Sequence, residues 1–395
     1  MKVLLINSVC GIRSTGRICT DIADLLIQRG HDCRIAYGRE NVPEKYRKIA
    51  IPIGSKPGTL FHGAMSRIFD SSGFGSRRAT KKLISEIKAY DPDIVHLHNV
   101  HGYYINVELL FDYLKRAGKP VVWTMHDCWL FTGHCAHFDF CGCEKWKDGC
   151  FACPQKKEYP ASIVFDGSRR NYGRKKSAFT GCKNMVLVSP SKWLADLAGQ
   201  SFLGGYPVKV IPNGIDTSVF KPTPSGFRRD RGLEDKYIVL GVSSAWESKK
   251  GLGDLIRLSE MLGEDHAVVV VGLTPEQKDS LPEGVIGITR TDSTAELAEI
   301  YSAADVFVNP TYEDNYPTVN LEASACGTPV LTYATGGSVE NVCPDCVVKK
   351  GDVEELARRI TARDAGCFSA EGIGRKDMAD RYFSLYESLL AEGGK

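Results

Sequence analysis

The stretch "DVFVNPTYEDNYPTVNLEASACGTPVLTYAT", residues 305–335, sets two short apolar runs on either side of a segment opened by a proline. "DVFVNPT" and "PVLTYAT" are apolar through most of their length, the pattern of strands covered on both faces rather than one. Pro317 suits the first turn of the helix "TVNLEASACG", because a proline there has no N–H to lose. A buried strand, a helix and a second buried strand within thirty residues predict neighbouring strands of a parallel sheet.

The same alternation extends in both directions. Upstream and downstream of this unit lie "YIVLGVSS", "HAVVVVGL", "VIGITRT" and "CVVKKG", separated by helical patterns such as "LGDLIRLSEML", "STAELAEIYSAA" and "DVEELARRITARDA". The first half carries its own series: "KVLLINS", "CRIAY", "DIVHLHN", "VVWTMHD", "NMVLVSPS" and "VKVIPNG". The expectation is an α/β chain of two tandem Rossmann-like, doubly wound domains, joined near residues 212–226, which are rich in Gly, Pro, Ser and Thr and lack helical period. Ligands of such sheets sit outside the carboxyl ends of the strands, so the two domains are expected to face a cleft lined by strand-exit loops.

Bulk composition agrees with this and excludes other classes. The 395 residues suffice for two domains, and 43% apolar with 25% charged residues rules out a disordered or collagenous chain. "MKVLLINSVC" reads as a first strand rather than a signal peptide, and no run of 18 apolar residues occurs, so a cytoplasmic protein is expected. The net charge of +2 conceals an imbalance: residues 1–200 carry 30 Lys and Arg against 18 Asp and Glu, and residues 201–395 carry 20 against 30. Either this is chance distribution over solvated surfaces or the first half meets something anionic, such as a lipid phosphate or the inner membrane surface. Residues 54–88 fit the second reading best, with "GTLFHGAMSRIFD" followed by Arg77, Arg78, Lys81 and Lys82.

The strand-exit loops supply the candidate site. "NSVCGIRSTGRI" follows the first strand, and Gly11, Ser14, Thr15 and Gly16 would let backbone N–H groups approach an anion or a sugar; an ordinary tight turn needs the same residues. His126 leaves a buried strand beside Asp127, where imidazole could bond a sugar hydroxyl or phosphate, and His96, His98 and His101 lie nearby in sequence. Lys249 and Lys250 stand at a helix start, an arrangement unfavourable against the helix dipole unless a diphosphate binds there. The Pro317 helix would aim its positive end at the same ligand. Asp314, in the loop before it, and Glu322, within it, are placed to accept paired hydroxyls of a ribose or hexose.

At this point "SPSKWLADLAGQSFL", "VIPNGIDTSVFKP", "KKGLGDLI", "YEDNYPTVNLEASACGTPVLTYATGGSVE" and "RYFSLYESLL" together resemble a retaining glycosyltransferase of family 4, with the GT-B fold, over nearly the whole chain. With "HLHNVHGYYIN" and "TMHDCWLFTGH" the likeness is to the subgroup that builds bacterial capsule, exopolysaccharide or O-antigen chains. The resemblance implies transfer of a hexosyl unit from a UDP- or GDP-sugar, with retention and without a catalytic metal. The acceptor would be a hydroxyl of a growing, lipid-linked surface polysaccharide at the inner membrane face, and no nucleic acid is involved. It implies an acceptor-side domain over residues 1–205, rejoined by a C-terminal helix at 374–395, and a nucleotide-sugar domain over 206–373. Glu322 matches the ribose-binding second acid of the family's Glu-x7-Glu motif. The first acid's position holds Asp314, with Glu313 one place out of register. Asn315, Tyr316, Pro317 and Thr318 complete the donor loop. Lys250 matches the phosphate lysine, with Lys249 beside it, although Ala245 stands where many relatives carry an arginine. His126 matches the histidine that contacts the donor sugar, and Gly16 the glycine-rich loop facing the reaction centre.

Six of the chain's 14 cysteines fall within residues 128–154. Cys150-x2-Cys153 has the spacing of a metal knuckle, and Cys135 with Cys143 would complete a tetrahedral thiolate site for structural zinc. Free buried thiols or an iron–sulfur cluster are the alternatives, and Cys141, His134 and His137 are further ligand candidates. Two other functions share the pattern: a nucleotide-sugar epimerase or hydrolase on the same fold, and a zinc-stapled interaction protein without catalysis.

Overall fold

The computed structural model describes residues 1–366 and 372–393, which divide into two compact units, Met1–Pro212 with Lys376–Lys395, and Asn213–Arg375. The first unit contains strands β1 (Lys2–Asn7), β2 (Asp32–Tyr37), β3 (Ala50–Pro52), β4 (Ile94–Leu97), β5 (Val121–Thr124), β6 (Met185–Ser189) and β7 (Val208–Val210). They form one parallel sheet in the order β3-β2-β1-β4-β5-β6-β7. Central β1 pairs Leu5 with Ile35 on one side and with His96 on the other.

Because side chains alternate across a strand, β1 feeds two cores. Val3 and Leu5 join the core built from the helix Arg13–Gln28 and from the C-terminal helix through Met378, Tyr382 and Tyr386. Leu4 and Ile6 join the opposite core, with Trp123, Phe111 and Phe179. Both faces are therefore dry, which is why the strands read as apolar without alternation. The two edge strands escape that reading: β3, partly exposed and ending in Pro52, and β7, whose Lys209 and Val210 are exposed.

The second unit contains β8 (Tyr237–Val242), β9 (His266–Val271), β10 (Val285–Ile288), β11 (Val306–Asn309), β12 (Val330–Tyr333) and β13 (Val347–Val348), parallel in the order β10-β9-β8-β11-β12-β13. Its two cores again take alternate residues of one strand, Phe307 on one face and Val306 with Val308 on the other. Each sheet thus reverses direction beside its first strand, the position at which a doubly wound sheet opens a crevice for a ligand.

One segment of the first unit departs from this regularity. Between the end of β5 at Thr124 and the helix Ser168–Phe179, the chain has a single 3-10 turn, Lys145–Lys147. This irregular run holds His126 and six of the 14 cysteines.

Candidate functional site

In the second unit the loop after β11 folds against the loop after β8. Gly251 makes this possible: its φ of +77° suits glycine, and a Cβ there would lie 2.2 Å from the carbonyl oxygen of Pro310. Backbone bonding then fixes the pair of loops, with the Tyr312 N–H donating to the Lys249 carbonyl at 2.8 Å. The result joins residues sixty positions apart. Lys250 Nζ donates to Asp314 Oδ2 at 2.7 Å, and Lys249 Nζ lies 3.4 Å from Glu313 Oε2. The two lysines, expected at a helix start to meet a diphosphate, are not solvated cations. They are paired with the acids of the facing loop, and the helix they precede begins only at Leu252.

The two acids differ in access. The Glu313 side chain is 2% exposed and Asp314 20% exposed. Asp314 is also shaped by its surroundings: Oδ1 accepts the Tyr316 N–H at 3.2 Å and its carbonyl accepts the Gly337 N–H at 3.2 Å. Glu313 takes part in the inner wall, where Thr311 Oγ1 donates to its carbonyl oxygen at 3.1 Å.

The helix Thr318–Ala325 starts one residue later than expected, with Pro317 as its N-cap at φ −71° and ψ 116° rather than within the first turn. Pro317 has no N–H to offer, and among the described residues no side chain caps the helix, so its first amide groups keep their donor capacity. Glu322 lies on this helix, half-buried, and accepts from the buried Tyr301 hydroxyl at 3.2 Å. A fixed carboxylate of this kind can accept two hydroxyls, while the lysines and amide groups suit a diphosphate.

A buried amide network positions the Pro317 turn, and residue type gave no notice of it. Asn341 Nδ2 donates to the Pro317 carbonyl at 2.9 Å, Asn320 Nδ2 donates to Asn341 Oδ1 at 2.9 Å, and Asn309 Nδ2 donates to Asn320 Oδ1 at 2.8 Å. Asparagines spread over 33 positions look like loop residues in sequence. Their common burial is a property of the fold.

In the first unit, Gly16 is buried within the helix Arg13–Gln28. Its carbonyl accepts the Gly11 N–H at 3.1 Å, and a Cβ on Gly16 would crowd Val9 Cγ2 at 3.0 Å. Gly16 thus closes the turn tightly and lies inside the helix rather than in the loop itself. His126 stands after β5, its Nε2 bonded to His98 Nδ1 at 3.0 Å and its ring stacked on that of His98. Burial lowers the His126 pKa to about 4 against the opposing pull of Asp127, so the ring is neutral at pH 7.

The other histidines are structural neighbours of this ring. His96 is wholly buried, bridging Tyr386 Oη at 2.6 Å and Thr124 Oγ1 at 2.8 Å. His101 Nε2 bonds Asp127 Oδ2 at 2.8 Å and its Nδ1 meets Tyr159 Oη at 3.0 Å. Burial would raise the Asp127 pKa, but the charge and hydrogen bond of His101 hold it below the usual carboxylate range. Asp93, just before β4, serves the sheet instead, its Oδ2 accepting the Lys2 N–H at 2.6 Å.

The four cysteines proposed as ligands gather in one region. The thiols of Cys135 and Cys153 bond each other, and both interact with Cys150, which in turn interacts with Cys143. The four remain free thiols, and among the described residues no three His, Cys, Asp or Glu side chains stand closed around a common point as a metal site.

Comparison with known proteins places this geometry in a lineage. A family model described as Glycosyltransferase Family 4 matches residues 15–219, and one described as Glycosyl transferases group 1 matches residues 236–362. The chain is 24% identical over 419 residues to a protein of Escherichia coli (strain K12) named for colanic acid biosynthesis, the glycosyl transferase WcaC, covering 98% of this chain and 100% of that one. It is 29% identical over 213 residues to TuaC of Bacillus subtilis (strain 168), a glycosyltransferase named for teichuronic acid biosynthesis, covering 52% of each. Among solved structures, a glycosyltransferase of Rickettsia africae superposes with a TM-score of 0.68 at 16% identity, covering 98% of each chain. Anabaena Alr3699/HepE, solved in complex with UDP, superposes with a TM-score of 0.63 at 16% identity, covering 100% of this chain and 98% of that one. The structural likenesses establish the GT-B fold, and the family match spans more than half of the sequence. The tandem parallel sheets, the loops they carry and that match make this chain a glycosyltransferase, a member of family 4.

Proposed function

We propose that the chain moves a hexosyl unit, with retention at the anomeric carbon, from a UDP- or GDP-sugar to a hydroxyl of a growing, lipid-linked bacterial surface polysaccharide. The observation that carries the donor half is the Lys250–Asp314 pair at 2.7 Å beside the start of the Thr318–Ala325 helix. Binding of a nucleoside diphosphate would draw Lys250 toward the phosphates and release Asp314 to the sugar. Of the two acids in question, Asp314 is the one with access, so it takes the hexose while Glu322 holds the ribose. Glu313 and Lys249 act behind them, as an ion pair that fixes the loop.

The chemistry follows from charge. Cleavage of the glycosidic bond leaves negative charge on the β-phosphate, and Lys250 with the helix amide groups, already aimed, stabilises that charge as it develops. The leaving phosphate then accepts the proton of the acceptor hydroxyl attacking on the same face. Neutral His126 donates or accepts a hydrogen bond at the sugar without adding a charge. No catalytic metal is required by this arrangement, because the cation at the diphosphate is Lys250.

The polysaccharide assignment draws on the relatives named for colanic and teichuronic acid biosynthesis, and the nucleotide on the HepE complex with UDP. Lipid linkage draws on the surface of the first unit. The helix Lys56–Phe69 exposes Leu60 and Phe61, and the adjoining segment, bonded to it through Ile163 N–H to the Arg67 carbonyl at 2.7 Å, exposes Ile163, Val164 and Phe165. No described helix is long and apolar enough to cross a membrane. An apolar patch beside Arg67, Lys156 and Arg170 suits peripheral docking on an anionic cytoplasmic leaflet.

A thermal-shift screen against UDP, GDP, ADP and dTDP, each with and without EDTA, tests the reading. A ligand of the folded state raises the melting temperature. The expected result is one nucleotide that raises it, equally with EDTA present; no shift with any nucleotide would overturn the donor assignment.

A further inference from the structure

Strand-exit loops of the first unit converge on a basic and aromatic cluster that the donor site does not use. Gly38 and Arg39 follow β2, and their N–H groups both donate to the Ser8 carbonyl after β1, at 3.2 and 2.8 Å. Gly38 has to lack a side chain there, because a Cβ would lie 2.0 Å from Tyr104 Cγ. The loop after β4 supplies Gly102 at φ +108°. A Cβ on it would stand 3.5 Å from both Nε and Cζ of Arg39, so the guanidinium lies alongside that glycine.

Arg39 has no counter-charge. Its buried Nε lacks a hydrogen-bond partner, and among the described residues no carboxylate forms an ion pair with it. A buried donor on a charged group is costly to leave unpaired by the chain, which favours an oxyanion of a ligand at that point. The nearby carboxylates answer to other partners: Glu40 to Arg13 at 2.8 Å, Asp127 to His101 at 2.8 Å and Asp70 to His134 at 2.6 Å. Arg67 is a second uncompensated cation. It stands 5.8 Å from the centroid of the Tyr103 ring, and its charge, like that of Arg39, acts on Tyr103. Tyr103 meets Tyr159 edge-on at 6.5 Å, and the Tyr159 hydroxyl is fixed by His101 Nδ1 at 3.0 Å. The Tyr159 ring borders solvent, at 44% exposure. Tyr103 also sits at φ +70°, a left-handed conformation rare for a bulky residue, and strained backbone of this kind gathers where a loop serves a ligand.

We propose that Arg39 and Arg67 bind a phosphate of the acceptor, with Tyr103 and Tyr159 lining the approach of its sugar. A guanidinium presents paired N–H donors that match two oxygens of such a group. Location argues for a phosphate at a lipid linkage. Arg67 belongs to the helix Lys56–Phe69, whose Leu60 and Phe61 are exposed, while His101 and Asp127 lead from Tyr159 to His126. The cluster therefore lies between the apolar patch and the histidine assigned to the sugar, where a lipid-linked saccharide carries its charge. Because it names the acceptor, this assignment rests on the transferase reading, but the two fail separately.

The test is the melting temperature of the full chain at constant ionic strength with glucose 1-phosphate, farnesyl diphosphate or glucose added. Both phosphates should raise it in the wild type and in Lys250→Ala, glucose should not, and Arg39→Gln should weaken the apparent affinity by about tenfold or more. The nucleoside diphosphate of the donor screen should behave oppositely, stabilising Arg39→Gln and losing its effect on Lys250→Ala. A response to farnesyl diphosphate alone assigns the phosphate to a lipid linkage, and one to glucose 1-phosphate alone assigns it to a phosphosugar; each supports the site. Should Arg39→Gln fail to fold, Arg67→Gln, at an exposed position, carries the same expectation. No shift with either phosphate, an equal shift with glucose, a shift that survives both arginine variants or one lost in Lys250→Ala would overturn the acceptor site. A phosphate shift that needs Arg39, with no nucleotide effect on any variant, would support this site and overturn the donor reading instead.

Discussion

Acidification should destabilise the first unit well above the pH at which carboxylates protonate, through its histidine stack. His96 and His98 are completely buried, with burial driving both pKa values well below 6.5, and His126 is lowered to about 4. A histidine depressed in the folded state gives stability that is fully present above the unfolded pKa near 6.5 and is lost as the pH falls toward the folded value. At pH 5 the unfolded chain gains about 2 kcal/mol from His126, because pH 5 lies 1.5 units below 6.5 while the folded ring, at about 4, stays neutral. His96 and His98, lowered by burial, add in the same direction, against the 5–15 kcal/mol typical of a whole domain. His62, lowered mainly by burial, adds in the same direction; His134, held up by Asp70 against its burial, acts with the opposite sign above pH 6.5. Urea unfolding at pH 7.5, 6 and 5, read by tryptophan fluorescence, measures this, since Trp123, Trp129, Trp146 and Trp193 report on the first unit and Trp246 alone on the second. A loss of stability under 1 kcal/mol between pH 7.5 and pH 5 would refute the reasoning, because it would mean that the buried rings accept protons in place.

Further outcomes follow from the second unit and the surface. Lys250→Ala should lower kcat/KM by 10²–10³-fold, the usual effect of removing one preorganised group at a developing anion, with less than about 1 kcal/mol lost in stability because the pair with Asp314 is partly exposed. Glu322→Gln should weaken nucleotide binding by roughly 10–100-fold in calorimetry, the worth of charge-assisted hydrogen bonds, while its melting temperature stays near wild type. Gly251→Ala should destabilise the second unit by more than 2 kcal/mol in chemical denaturation, since the new Cβ meets the Pro310 carbonyl at 2.2 Å and φ is +77°. Phe61→Asp with Ile163→Asp should abolish sedimentation with anionic vesicles and leave unfolding unchanged, given that both side chains are exposed.

The sheets were legible because burial on both faces writes itself directly into composition. Every strand except β3 falls within one of the expected runs, and β3 fails because it is partly exposed and ends in a proline. Helix ends were less legible: Gly16 and Pro317 each lie one boundary away from the expected place, since caps depend on dihedral angles that residue type only biases. At the candidate site, Lys250, Asp314 and Glu322 could be singled out by chemistry. Their pairing could not, because the Gly251–Pro310 approach that joins Lys250 to Asp314 is a tertiary contact across sixty positions. The asparagines at 309, 320 and 341 were invisible for the same reason, being polar residues whose burial only the folded chain defines.

The C-terminal helix closes the first unit by placing Tyr382 and Tyr386 on Thr124 and His96. During synthesis that has a cost in time. The sheet of the first unit emerges early, but the residues that cover its Thr124–His96 patch follow the whole of the second unit, Asn213–Arg375. At 5–20 residues per second a ribosome needs roughly 10–30 s to traverse that insertion. Throughout the interval a buried-type histidine and the apolar residues around it stay open to water and to neighbouring chains. The second unit, being continuous, can complete its own core in the meantime. The fold therefore imposes an order of maturation in which the later-made domain finishes first, and the nascent first domain is the natural client for a chaperone.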